Sequence, residues 1–179
     1  MIINPSELDP RSCYKLLIGS VVPRPIAWTS TVSQEGVYNL APFSFFTVAS
    51  RPPPMLCISV GPPPETEGGE RPAKDTLSNI EETGECVINI VSLPLSNTMY
   101  ESSKSHPPEA DEFEKAGLTP TPCEVVGAPR VEEAGVSMEC LLVGYYLWAP
   151  TTSLSAGWYA STSAMSSIRT AAYSSLHCY

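Results

Sequence analysis

Pro25-Ile-Ala-Trp-Thr-Ser-Thr-Val32, then Gln34-Glu-Gly36, then Val37-Tyr-Asn-Leu-Ala-Pro-Phe-Ser-Phe-Phe-Thr-Val48 is the stretch from which the fold class follows. The first run is rich in β-branched and aromatic residues, which pack well on a pleated surface, and Gln34-Glu-Gly closes it as a turn. The run after the turn leads through a second strand or strand-loop. Beyond it, Pro54-Met-Leu-Cys-Ile-Ser-Val predicts a third strand, ended by Gly61-Pro-Pro-Pro. The proline-rich run through Arg71 predicts an exposed loop. Cys86-Val-Ile-Asn-Ile-Val reads as a strong strand, and Arg130-Val opens a last β section whose clearest strand is Ser137 to Leu147. Three short helices are expected: Asp75 to Thr83, Leu95 to Ser103, and Ala110 to Ala116. For the first, Asp75 is the expected cap, Leu77 and Ile80 share a face, and Gly84 ends it. With 19 prolines and 11 glycines punctuating short β runs, a barrel or sandwich is favoured over a helical bundle. No internal repeat or linker divides the chain.

The chain's 179 residues suit one domain with one core. A hydrophobic content of 42% is that of a globular protein. No apolar run reaches the roughly 18 residues of a membrane span, and Met1-Ile-Ile-Asn-Pro-Ser-Glu-Leu-Asp lacks the basic start and apolar stretch of a secretory signal. The expectation is a soluble, cytoplasmic protein with no membrane partner. Net charge is −9, from 19 acidic and 10 basic residues, and no basic face is visible, so nucleic acid is not an expected partner. The six cysteines (Cys13, Cys57, Cys86, Cys123, Cys140, Cys178) are scattered without metal-ligand spacing, so no metal site is expected. Those in apolar strands read as small hydrophobes.

No nucleophile constellation stands out, and no catalytic residue is assigned. His106 lies in a Pro-rich loop and His177 near the chain end, and neither Gly-x-Gly-x-x-Gly nor a P-loop occurs. What remains is a set of polar residues beside strand ends and turns: Arg24, Thr29, Ser30, Thr31, Ser44, Thr47, Lys74, Asp75, Thr76 and Asn79. A phosphate dianion needs hydroxyl and amide donors with one or two cations, ideally at a helix start. Lys74-Asp-Thr combines a cation, a cap and a hydroxyl. Serine and threonine are also ordinary strand and loop residues, so at this level ligand binding and plain structure both stand.

The order of the blocks adds to this. Tyr14 to Thr31, Gly36-Val-Tyr-Asn-Leu-Ala-Pro-Phe-Ser-Phe-Phe, Arg51-Pro-Pro-Pro, Lys74-Asp-Thr-Leu-Ser-Asn-Ile and Gly84-Glu-Cys-Val-Ile-Asn follow one another. Asp111-Glu-Phe-Glu, Gly117-Leu, Pro129-Arg-Val and Glu139-Cys come after. Together they resemble the flavin reductase-like family, in the branch holding flavoredoxin and the reductase components of two-component monooxygenases. The resemblance implies a mainly β fold: an FMN-binding split β-barrel of Greek-key type with a few short peripheral helices. It implies a homodimer in the intact protein, with FMN at or near the subunit interface. Pro23-Arg-Pro to Thr31 would line the flavin, with Arg24, Thr29, Ser30 and Thr31 near the cofactor. Asn39 through Thr47 would form a second wall offering Ser44, and Lys74, Asp75, Thr76 and Asn79 would serve the phosphate end. Against this, Thr29 and Thr31 are ordinary strand residues, Asn39 suits a turn, and Asn79 suits a solvent face. Trp28 and Phe45 fit either the ring or the core. The implied activity is NAD(P)H-dependent flavin oxidoreduction, with hydride passing to flavin N5 and electrons going on to a monooxygenase or other acceptor. The alternatives are an FMN-binding electron carrier without its own nicotinamide site, or a non-functional truncated product.

The resemblance stops after Tyr145. The family continues into a strand of the type Gly-x-Val-Val-x-x-His-Val, whereas Ser155 to Thr170 here is small, polar and aperiodic, a poor strand by its pattern. Taking the third base of each codon with the next two gives a possible reason. Trp158-Tyr159 must be encoded TGG-TAY, so its shifted triplet is GTA, valine. From Ser155 the permitted shifted residues include Gly-Arg-Val-Val-Arg-Ile-His-Val-Arg-Asp-Val-Val. The expectation is a split-barrel domain over 1–152, C-terminally incomplete, with 153–179 an aberrant, out-of-frame tail.

Overall fold

Hairpins form most of the sheet. The computed structural model describes residues 2–61, 74–147 and 158–170. Strand β1 (Ala27–Val32) folds back antiparallel on β2 (Tyr38–Phe43), with Ala27 opposite Phe43 and Val32 opposite Tyr38. The turn between them is closed at Gly36, whose φ of 85° is a conformation glycine adopts without strain. β3 (Phe46–Ser50) pairs with β4 (Met55–Val60), and β5 (Glu85–Ile90) lies between β1 and the long β8 (Val136–Leu147). A two-stranded ribbon, β6 (Pro120–Thr121) with β7 (Arg130–Val131), lies apart. Strand β9 (Trp158–Thr170) runs between β8 and β4, giving the sheet order β2-β1-β5-β8-β9-β4-β3.

That order forces the sheet to roll. β2 and β3 are its two edges, yet only Ser44 and Phe45 separate them. Three Cα steps span at most ~11 Å, whereas the edges of a flat seven-stranded sheet lie ~29 Å apart. The edges therefore meet at Ser44-Phe45, and the amide of Ser59 in β4 donates to the Phe45 carbonyl there (2.8 Å). This is the split barrel that the block order implies, mainly β with short helices around it.

Inside the roll, Ala27, Phe43, Ile58, Val60, Ile88 and Cys140 pack with Leu77 and Ile80 of helix α2 (Asp75–Thr83). On the other face, Trp28 and Leu40 pack with Phe113 of α4 (Glu112–Ala116), while α3 (Ser96–Glu101) lies beside them. β1 is thus covered on both sides, and Thr29, Ser30 and Thr31 are fully buried. This explains why its sequence shows no apolar-polar alternation.

Several local expectations shift. The N-cap of α2 is Lys74, with no side-chain cap bond, and Asp75 is the first helical residue rather than the cap. Gly84 ends the helix in the left-handed region as expected, at φ 73°. Asp111 caps α4 by accepting from the amides of Phe113 and Glu114. An unanticipated helix, α1 (Pro10–Ser20), starts at Asp9, which accepts from Ser12 N with Pro10 in the first turn. It buries no residue, so it has no core-facing stripe to announce it. Trp158–Thr170, a poor strand by its pattern, nonetheless has strand backbone, in register with β4 from Met55↔Ser163 to Val60↔Trp158. The physical reason is that β8 and β4 both present open ladders, and extended chain between them satisfies both. The expected loop at 62–71 and the tail at 153–157 and 171–179 lie outside the described residues, as does His177.

Candidate functional site

The corner where the sheet edges meet collects part of the expected site. Arg24 precedes β1, and its Nη1 donates to the carbonyls of Ile18 (2.5 Å) and Val21 (2.8 Å), tying down the end of α1. These are carbonyls of the last helical turn and the cap residue, which lack onward helical partners. The Arg24 Nε lies 3.5 Å from Ser44 Oγ, and the guanidinium stands 5.9 Å from the centre of the Phe45 ring. Phe45 is 40% exposed and also meets Tyr14 of α1, ring centres 6.3 Å apart. Lys74 Nζ lies 5.7 Å from the centre of the Phe43 ring, the last residue of β2. Partial burial lowers the Lys74 pKa, a cost that a nearby anion would offset. Lys74 gives the start of α2 no side-chain cap, and the Leu77 amide turns back to the Lys74 carbonyl (2.8 Å).

Four other candidates form one buried network. Asn39 Oδ1 accepts from Thr76 Oγ1 (2.7 Å) and Thr31 Oγ1 (3.3 Å). Thr31 in turn accepts from Asn79 Nδ2 (3.0 Å). Asn39 Nδ2 donates to Glu112 Oε2 (2.8 Å), which also accepts from the Leu40 amide (2.5 Å). Glu112 is buried, and loss of water raises its carboxyl to about 7. The Leu40 amide pulls it down, while the charges of Asp75 and Asp111 push it up. Nothing local marks Glu112 in the sequence, because a carboxylate in a first helical turn is ordinary. Only contact with β2, across 73 residues to Asn39, reveals it.

The remaining candidates lie elsewhere. Ser30 Oγ donates to the Pro129 carbonyl (2.5 Å) and accepts from Asn89 Nδ2 (3.1 Å), holding the segment before β7 on the sheet. The Thr29 hydroxyl lies 3.4 Å from the Ala27 carbonyl. Thr47 is exposed on the edge strand β3. Asp75 faces a separate cleft of about 380 Å³ that Glu35, Glu82, Glu109 and Glu112 also line. Five acidic side chains make that cleft unfavourable for an anion. The corner gathers the Arg24 guanidinium, the Ser44 hydroxyl and the Phe45 face, with the Lys74 ammonium over the neighbouring Phe43 ring. Among the described residues, no cluster of His, Cys, Asp or Glu could hold a metal ion, and no helix is long and apolar enough to cross a membrane.

The family described as "Flavin reductase like domain" matches residues 18–156. An uncharacterized protein of Aquifex aeolicus is 48% identical over 139 residues, covering 78% of this chain and 68% of that protein. The chain spans about two thirds of the length of the curated relatives it matches, between 65% and 68% for the first three. Among solved structures, nitrilotriacetate monooxygenase component B from Bacillus cereus is 36% identical with a TM-score of 0.85, covering 96% of this chain and 81% of that one. The 2-nitrobenzoate 2-nitroreductase of Pseudomonas fluorescens is 27% identical with a TM-score of 0.81, covering 96% and 77%.

Proposed function

The chain belongs to the flavin reductase-like family, and from that premise we propose that the protein is an NAD(P)H-dependent flavin oxidoreductase that uses FMN. The observation that carries the reading is the corner itself, where Arg24 stands beside Ser44 and Phe45, and Lys74 lies over the ring of Phe43, the residue before Ser44. Bound there, the isoalloxazine would accept hydride and release electrons. Lys74 and the first-turn amides of α2 would hold the phosphate, as a point charge and hydrogen-bond donors. Arg24, already fixed by two carbonyls of α1, would present its remaining edge beside Phe45 without further ordering. No side-chain acid is needed for hydride transfer, and none is assigned.

A homodimer belongs to the same reading. α1 buries nothing, and Leu17, Val22 and Val48 are 59%, 64% and 64% exposed around the corner. A second copy covering this apolar surface would also close the flavin site from water. The Bacillus cereus neighbour is a monooxygenase component, which supports a separate oxygenase or other acceptor as the electron partner here. A cytoplasmic setting fits the same reading, since Cys13, Cys57 and Cys86 are free thiols, as a reducing compartment keeps them.

The experiment is FMN and riboflavin titration of wild-type protein and Lys74→Ala, with NADH and NADPH oxidation followed in parallel. Lys74→Ala should weaken FMN by about 10- to 100-fold and leave riboflavin nearly unchanged, since riboflavin lacks the phosphate. Equal loss of both ligands refutes the assignment of Lys74. Wild-type protein that binds no flavin refutes the whole reading. Flavin that NAD(P)H bleaches only through a partner protein would instead make this an electron carrier.

A further inference from the structure

Glu112 touches the corner only through other residues. Asn39 turns its NH2 toward Glu112 Oε2 and its carbonyl oxygen toward the hydroxyls of Thr76 and Thr31. The Leu40 amide supplies the second donor and fixes the carboxylate against the β2 backbone. Thr76 then gives its hydroxyl proton to Asn39, and Asn79, further along α2, donates to Thr31. Helix α2 is tied at two points to the β1–β2 hairpin. Lys74 lies two residues before the first tie, and its ammonium reaches back over Phe43 at the end of β2.

We propose that Glu112 is a positioning residue for the phosphate end of the flavin site, acting through Asn39 and Thr76 on the first turn of α2. The inference rests on the flavin reading above. It assigns Thr76 a different part from that expected of a phosphate ligand. With its proton committed to Asn39, Thr76 has none to donate to a phosphate, and it serves by holding Lys74 and the helix-start amides in place. Asn39, Thr31 and Asn79 belong to the same device. A glutamine at 112 preserves the tie in the same sense, because Asn39 Nδ2 and the Leu40 amide both donate to one oxygen, Oε2. The Gln carbonyl in its place accepts from both, while the Asn39 carbonyl still accepts from Thr76.

FMN and riboflavin affinities of Glu112→Ala, Glu112→Gln and Thr76→Val test this, with thermal melts as the folding control. Glu112→Ala should lose about tenfold in FMN affinity while riboflavin affinity stays within about twofold. Glu112→Gln should restore FMN binding to within about threefold of wild type. If Glu112→Ala fails to fold, Thr76→Val cuts the same tie from the helix side and should give the same FMN-selective loss. Where both fold, the double variant should be no weaker than either single one, because they remove one connection. Unchanged FMN binding in Glu112→Ala, equal loss of both ligands, or additive losses overturn the proposal. Flat Glu112 variants beside a selective Lys74→Ala sink this inference alone, whereas wild-type protein that binds neither flavin removes the reading beneath it too.

Discussion

Glu112 holds its proton to higher pH in the folded protein than in the unfolded chain, about 7 against an ordinary 4.5, chiefly because burial disfavours the charge. The sign of the linkage follows. The native state binds more protons between these values, so the stability this group contributes is present below about 4.5 and is lost as pH rises through about 7. The loss is on the order of 2 kcal/mol after allowance for the cleft's access to water. Urea midpoints at about pH 5 and about pH 8 should therefore fall further for wild type than for Glu112→Gln, whose amide does not titrate. A glutamine variant with the same pH slope as wild type would show that the carboxyl titrates normally. A buried carboxylate that lowers stability near neutrality yet organises Asn39 is what a site under functional demand looks like.

At the scale of elements, α4 delivers both Glu112 and Phe113 to β2, and its short length makes its cap decisive. Asp111 accepts from the amides of Phe113 (2.9 Å) and Glu114 (3.1 Å), and Gly117 closes the helix at φ 68°. Asp111→Ala should cost about 1 kcal/mol, visible as a lower melting temperature. It should also weaken FMN more than riboflavin, because it loosens the element that carries the positioning carboxylate. A variant as stable as wild type would mean that packing of Phe113 alone holds α4.

For the whole molecule, the uncovered apolar surface and the run after Tyr145 are linked questions. Val21 lies on the same exposed surface as Leu17, at 60% exposure, and a charge there should prevent burial against a second copy. Leu17→Asp/Val21→Asp should shift sedimentation from dimer to monomer and weaken flavin binding. A wild-type protein that sediments as a monomer at all concentrations would contradict the dimer. The backbone of β9 occupies the place between β8 and β4, and we propose that an alternative frame in the coding DNA supplies this strand in the intact protein. The nucleotide sequence for residues 150 to 179 should contain it, and the restored chain should be less acidic than −9, more resistant to urea and more fully loaded with FMN. Coding DNA without such a frame would make the present tail the native one.

Much of this was legible in the chain itself. Strands β1, β2, β4, β5 and β8 showed in their β-branched and aromatic runs, and Gly36 and Gly84 marked a turn and a helix end. Val37 to Val48, by contrast, read as one strand or strand-loop and divides into β2 and β3 at Ser44-Phe45. The ordered blocks carried the family and hence the split barrel. These are local signals, encoded within a few residues of where they act. What the tertiary structure alone decided depends on chain segments meeting. Arg24 reads as a free cation but is partly held by the carbonyls of α1. Thr31, Asn39, Thr76 and Asn79 read as ligand donors but hydrogen-bond chiefly to one another. β9 becomes a strand because two ladders need a partner, and Glu112 matters because α4 lands on β2. The pairings of Thr76 with Asn39, Asn79 with Thr31 and Glu112 with Asn39, across 37, 48 and 73 residues, leave no periodicity to read, since either partner alone is an ordinary polar residue until the closing of the roll excludes water around it.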